Sequence, residues 1–158
     1  MDKLEYIPGD LVMTNGVPLC TAKDVVYRVT SSDPSKTLEL DDGTVLKGVV
    51  CLENIEGAEF GDKGYLLGDS GAWVKDIVPI PLTPEILEKN GWKKEMYHDW
   101  LHYMTIERNI LYLSEGVGTD GAFSVCVGLD MSHIANISFV HQLQHLLFGL
   151  GLNSEMEV

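Results

Sequence analysis

Three prolines within the run Pro79-Ile80-Pro81-Leu82-Thr83-Pro84 cut this chain into two parts. Each proline fixes its own φ, lacks an N–H and pushes the preceding residue toward an extended conformation, so neither a helix nor a central strand passes through the run. At 158 residues the chain holds one domain or two small modules, each with a modest core. The expected division is a β module over 1–78, a linker over 79–83 and an α+β module over 84–158. Beyond the linker the local signals are consistent with one another. Thr83 is an N-cap, Pro84 takes the first helical position, Glu85 complements the helix dipole and Gly91 terminates the turn, which predicts a helix over about 84–90.

The first module reads as strands and turns. Asp10 to Thr14 is a short apolar run followed by Asn15-Gly16, a pair that favours a tight hairpin. Val25 to Thr30 is β-branched and alternating, and Ser31-Ser32-Asp33-Pro34-Ser35 reads as a loop. Asp41-Asp42-Gly43 between Thr37–Leu40 and Thr44–Val50 is a second hairpin signal. Glycines 57, 61, 64, 68 and 71 punctuate a loop-rich stretch, and Ala72 to Val78 reads as a closing strand. Short strands at this spacing suggest a small barrel or sandwich. The opening Pro8-Gly9-Asp10-Leu11-Val12 resembles the first strand of SH3-like barrels.

In the second module, Phe123, Val125, Val127 and Leu129 alternate with Ala122, Ser124, Cys126 and Gly128, the pattern of a strand facing a core. Residues 92–113 satisfy both helical and strand periodicities, and an antiparallel sheet is favoured. A closing helix is expected from about Ser138, its N-cap, to Gly149. Phe139, Val140, Leu143, Leu146, Leu147 and Leu150 would form its apolar stripe, with His141, Gln142, Gln144 and His145 on the other side. The acidic segment Asn153–Val158 is expected to fray. The fold class is α+β: a small SH3-like barrel, then an antiparallel sheet with two helices.

The formal charge of −13 bears on partners. Residues 1–80 carry 7 basic and 14 acidic side chains, and residues 81–158 carry 4 and 10, so neither half hides a basic patch. Phosphate backbones attract Lys and Arg, so direct nucleic-acid binding is not expected. A protein partner is expected, and a basic one would complement this charge. No run approaches the ~18 apolar residues of a membrane span. Met1 to Tyr6 lacks the charged and apolar regions of a signal peptide, and Cys20, Cys51 and Cys126 form no CxxC pair, which predicts free thiols in a reducing cytoplasm.

Four motifs invite a catalytic reading. Gly68-Asp69-Ser70-Gly71 resembles the nucleophile loop of chymotrypsin-like proteases, but all five histidines (98, 102, 133, 141 and 145) follow Ser70, the reverse of that family's order. Gly116-Val117-Gly118-Thr119-Asp120-Gly121 matches GxGxxG, yet a strand pattern follows it where a dinucleotide site needs a helix N-terminus. Asp41-Asp42 is explained as a turn. The pairs His98/His102 and His141/His145 are each four apart, a spacing that puts two imidazoles on one helix face and can bind zinc. Gln142 stands where a zincin carries its glutamate base, and glutamine cannot perform that step. No catalytic residue and no cofactor are assigned; the four histidines are the metal candidates.

Two further strings carry a family resemblance. The run from Pro79 to Trp92 resembles the segment PIPLTEEWLLKFGF, and the run from Val140 to Leu150 resembles the ending VHQLQNLYFAL, of a group of proteins common in gut anaerobes and in their phages and conjugative elements. The resemblance covers about 25 residues and agrees in order and spacing. It implies a β module followed by an α+β module in a mobile-element setting, and it carries no catalytic residue. This chain departs from the pattern at His145, where the group has asparagine, and in its Gly-rich insertion around 57–71.

The functional expectation is a non-enzymatic binding or accessory protein. One alternative is a metal-dependent hydrolase using His98, His102, His141 or His145 with a neighbouring carboxylate. A second is an acidic mimic of DNA charge, which needs carboxylates arrayed along one face.

Overall fold

The computed structural model describes residues 5–18, 23, 25–55, 70–97, 100–104, 111–115, 121–128 and 130–158, with residues 70, 95–97 and 100–104 described in their backbone alone. The chain divides between Ile80 and Pro81 into two compact units. The α+β class is as expected: two five-stranded antiparallel sheets and two α-helices. Among the described residues no helix is long and apolar enough to cross a membrane.

Unit 1 contains β1 (Leu11–Thr14), β2 (Tyr27–Glu39), β3 (Val45–Asn54), β4 (Ser70–Trp73) and β5 (Ile77–Pro79), in the order β4-β3-β2-β1-β5. Its core gathers Tyr6, Val12, Tyr27, Val29, Val50, Leu52, Ala72 and Ile77. A turn over Ile7–Asp10 sets the entry to β1: Asp10 N–H donates to the Ile7 carbonyl at 3.1 Å, and Gly9 sits at φ +98°. Proline second and glycine third is the sequence a type II turn requires. The Asp10 carboxylate accepts from Ile7 N–H at 2.8 Å, which closes the turn from its other side.

Four expectations for this unit are corrected. The closed SH3-like barrel is not formed: among the described residues no ladder joins the outer strands β4 and β5. The single strand expected over Ala72–Val78 is broken by a 3-10 turn, Val74–Asp76, which uses the residues a continuous closing strand would need. Asn15-Gly16 is not a tight hairpin, because β1 pairs with β2 only after a long connection. Asn15 instead bonds across the unit, its N–H donating to the Asp76 carbonyl at 3.0 Å and its side chain to the Asp76 carboxylate at 2.9 Å. Ser31–Ser35 is not a free loop but an irregular part of β2, where the register slips between Asp33 and Thr37. The slip accommodates Pro34, which has no ladder N–H to give, and Asp33 accepts from both the N–H and the hydroxyl of Ser35. Opposite it, Gly48 has φ +76°, and a Cβ there would come within 2.9 Å of Val74 Cγ2.

The Asp41-Asp42-Gly43 hairpin is present. Leu40 and Thr44 are bonded N–H to carbonyl at 2.8 Å, Gly43 N–H donates to the Leu40 carbonyl, and Asp42 accepts from Thr44 N–H. The glycine stretch 57–68 lies outside the described residues.

Unit 2 opens with α1 (Pro84–Lys89), continues as the meander β6 (Lys93–Tyr97), β7 (Trp100–Met104), β8 (Leu111–Glu115), β9 (Phe123–Val127) and β10 (Ser132–Ile137), and closes with α2 (Val140–Gly149). The ambiguous stretch is therefore strand at 93–97, 100–104 and 111–113. Thr83 caps α1 by accepting from Ile86 N–H at 3.3 Å. Gly91 N–H donates to Glu88 and Trp92 N–H to Leu87, the paired bonds of a Schellman ending, with Trp92 and Leu87 both buried. Leu111, Leu113, Phe123 and Val125 supply the buried face of the sheet, and Val140, Leu143 and Leu147 that of α2. Of the run expected as a linker, Pro79 belongs to β5, Pro81 is bridged to Phe139, and buried Leu82 donates its N–H to the Ser138 carbonyl at 2.8 Å.

Candidate functional site

The sheet and α2 determine which candidate histidines meet. His141 and His145 stand one turn apart on α2, so their rings approach, with centroids 5.6 Å apart and planes at 78°. On its other side His141 stacks on Phe139, at 5.9 Å and 15°. Edge-to-face and stacked arrangements are how planar rings pack. His133 is exposed on β10, where its Nε2 lies 3.0 Å from Asn136 Oδ1. His102 is placed on β7 between Glu95 and Ser114 in backbone register, and His98 lies outside the described residues. Among the described residues no group of three or more His, Cys, Asp and Glu is placed to hold a metal ion.

The helix that carries the pair differs from its sequence reading in two ways. Its N-cap is Phe139, one residue later than the expected Ser138, and the missing cap hydroxyl is replaced from inside the helix. The Gln142 side-chain oxygen accepts from the N–H of Ser138 at 2.8 Å and of Phe139 at 3.2 Å. This half of a capping box satisfies two amides that would otherwise lack a partner. Gln142, noted in the sequence as the residue that spoils a zincin motif, thus has a structural role.

The second difference is the buried face. His141 and Gln144, expected on the solvent side, are 6% and 4% exposed, while Leu150 and Phe148 are exposed. The helix is rotated toward its polar residues, and the interior receives an imidazole and an amide. Burial, and then the neighbouring charge of His145, push the His141 pKa down to about 4, so the ring is neutral in the fold at pH 7. The Gln144 amide donates to the Ser154 carbonyl at 3.2 Å.

Nothing else among the described residues assembles around the remaining motifs. Ser70 is the first residue of β4 and pairs in register with Leu52, while Gly68 and Asp69 lie outside the described residues. Gly121 directly precedes β9, so the glycine motif is followed by a strand, and 116–120 lie outside the described residues. Cys51 and Cys126 are free thiols, and Cys20 lies outside the described residues. Burial raises the Cys126 thiol above its ordinary range, which opposes a nucleophilic role.

A different site emerges at the tip of the β2–β3 ribbon. There Leu38, Leu40 and Val45 are 48%, 40% and 60% exposed. Leu38 and Leu40 lie two apart on one face of β2 and its extension; Val45 stands opposite Glu39 on the other face. Glu39, Asp41 and Asp42 adjoin them in the sequence of the turn, with Glu39 opposite Val45. Hydrogen bonds from Thr44, backbone first and side chain second, hold the Asp42 carboxyl below the usual carboxylate range, so it is charged. Sequence reading found the turn but missed the site, because an exposed leucine and a core leucine alternate with charge in the same way. No family model matches this chain, and neither a curated protein nor a solved structure matches it.

Proposed function

We propose that this chain is a non-enzymatic binding or accessory protein whose docking element is the β2–β3 ribbon. The observation that carries the reading is the ribbon tip, where three large apolar side chains are exposed on both faces amid three carboxylates. Such a grouping at a hydrogen-bonded tip has the character of a contact surface. Apolar side chains on both faces suit a cleft better than a flat surface. The carboxylates select a cleft rimmed by Lys or Arg, so the partner is a basic protein. The net charge of −13 steers such a partner toward this chain and repels phosphate backbones. The mobile-element or phage setting implied by the two resembling segments, and a cytoplasmic location, belong to the same reading.

The test is photo-crosslinking of the full chain in extract of its host. A photoreactive residue replacing Leu40 forms one discrete adduct with a protein, and Leu38→Asp abolishes it; the same residue replacing Lys75, on the 3-10 turn, forms none. Equal labelling at both positions, or indifference to Leu38→Asp, refutes the docking element.

A further inference from the structure

The segment expected to fray is held in place. After α2 ends in a Schellman turn at Gly151, residues 151–158 alternate exposed and half-buried at every step, with Leu152, Ser154, Met156 and Val158 on the inner side. Period-two burial is the signature of an extended strand lying on a surface. The bonds that hold it are main-chain bonds on the segment's side. The Asn90 amide reads Glu157 in both directions: its Nδ2 donates to the Glu157 carbonyl at 2.6 Å, and its Oδ1 accepts from Glu157 N–H at 2.8 Å. Lys89 Nζ donates to the Val158 carbonyl at 3.0 Å, and Gln144 Nε2 to the Ser154 carbonyl at 3.2 Å. Asn90 is fixed for this task, because its other Nδ2 hydrogen bonds the Ile86 carbonyl at 2.8 Å within α1.

One amide that both donates to and accepts from the same residue imitates a strand in a β-ladder. None of these bonds involves a side chain of the segment, so they select an extended backbone with modest inward-facing groups and leave its sequence open. We propose that residues 152–158 are a displaceable strap occupying a site for extended peptide on unit 2, with Asn90 as the residue that reads the peptide backbone, and that an extended segment of a partner binds there by displacing the strap. This site is separate from the ribbon tip and does not depend on it. The strap competes at the high effective concentration of a tethered ligand, so a peptide in trans meets an occupied site in the resting protein.

The full chain tests this with a fluorescent peptide of the strap's own sequence, Leu-Asn-Ser-Glu-Met-Glu-Val. Glu157→Pro in the protein removes the strap's N–H that Asn90 accepts and leaves every residue of the site unchanged. Measured by fluorescence anisotropy, the Glu157→Pro protein binds the peptide about three- to tenfold more tightly than the unaltered chain, the ratio expected for losing one hydrogen bond from the competitor. A second peptide, N-methylated at the position equivalent to Glu157, binds the Glu157→Pro protein about three- to tenfold more weakly than the first. Because that change is made in the peptide, misfolding of the protein cannot produce it. Equal affinity for the two peptides refutes the reading role of Asn90. Failure of the Glu157→Pro protein to bind more tightly than the unaltered chain refutes the displaceable strap.

Discussion

Burial of His141 makes unit 2 sensitive to acid. In the unfolded chain this imidazole titrates near its ordinary 6.5; in the fold, desolvation and the charge of His145 lower it to about 4. Folding therefore disfavours the protonated form. The stability associated with the neutral ring is fully present above pH 6.5, declines as the pH falls through the interval from 6.5 to 4, and is exhausted below it. Each pH unit of that interval is worth about 1.4 kcal/mol, so the loss by pH 4 is about 3 kcal/mol, a large fraction of the stability of a small unit. The control is His141→Phe, which keeps a planar ring against Phe139 and cannot ionise. Urea denaturation of both proteins is followed by circular dichroism between pH 8 and pH 4. The free-energy difference between them stays constant above pH 7, then moves by about 2–3 kcal/mol in favour of His141→Phe as the pH falls to 4. A difference that does not change with pH, or a His141 ring signal that titrates at or above 6.5 by NMR, refutes the argument.

Other consequences are more local. Gln142→Ala lowers the thermal stability of unit 2 by about 1 kcal/mol by stripping the acceptor from Ser138 and Phe139, whereas Ser138→Ala costs less than half of that, because the cap lies one residue later. Gly9→Ala destabilises unit 1 by about 1–2 kcal/mol in denaturant titration, since φ +98° is a conformation L-residues rarely adopt, even though the space around it is open. Elemental analysis of untagged full chain finds metal well below one ion per molecule; a stoichiometric ion removed by chelation would support the histidine-based hydrolase instead.

What was legible in the sequence was local. Thr83, Pro84 and Gly91 specify α1 through contacts no more than a few residues apart, and Asp41-Asp42-Gly43 specifies its hairpin the same way. The alternation from Ala122 gave β9 because one strand face is buried against its own unit. Several of the failures involve distant partners. Asn15 accepts locally from Val17 N–H, as a turn residue does, but no hairpin forms there, because its own N–H and side-chain amide donate to Asp76, 61 positions away. The closing segment looked free because Asn90, its main partner, lies 67 positions before Glu157. Periodicity placed His141 and Gln144 outside because it scores them as polar. In the fold one is neutral and ring-stacked and the other is bonded to Ser154, so both are compatible with burial. The ribbon tip was missed for the converse reason: periodicity reports which side chains are apolar, and exposure depends on strand neighbours that end before the tip. Among the described residues the β3–β4 ladder covers Val49–Leu52, and β1 pairs with β2 at Tyr27 and Arg28.

Amide hydrogen exchange on the full chain, with and without the protein captured through position 40, locates the docking surface without altering a residue. Protection should concentrate on amides 36–47 and weaken when salt is raised, as expected for an apolar contact framed by carboxylates. Protection confined to unit 2, with the ribbon exchanging as it does alone, would contradict the account.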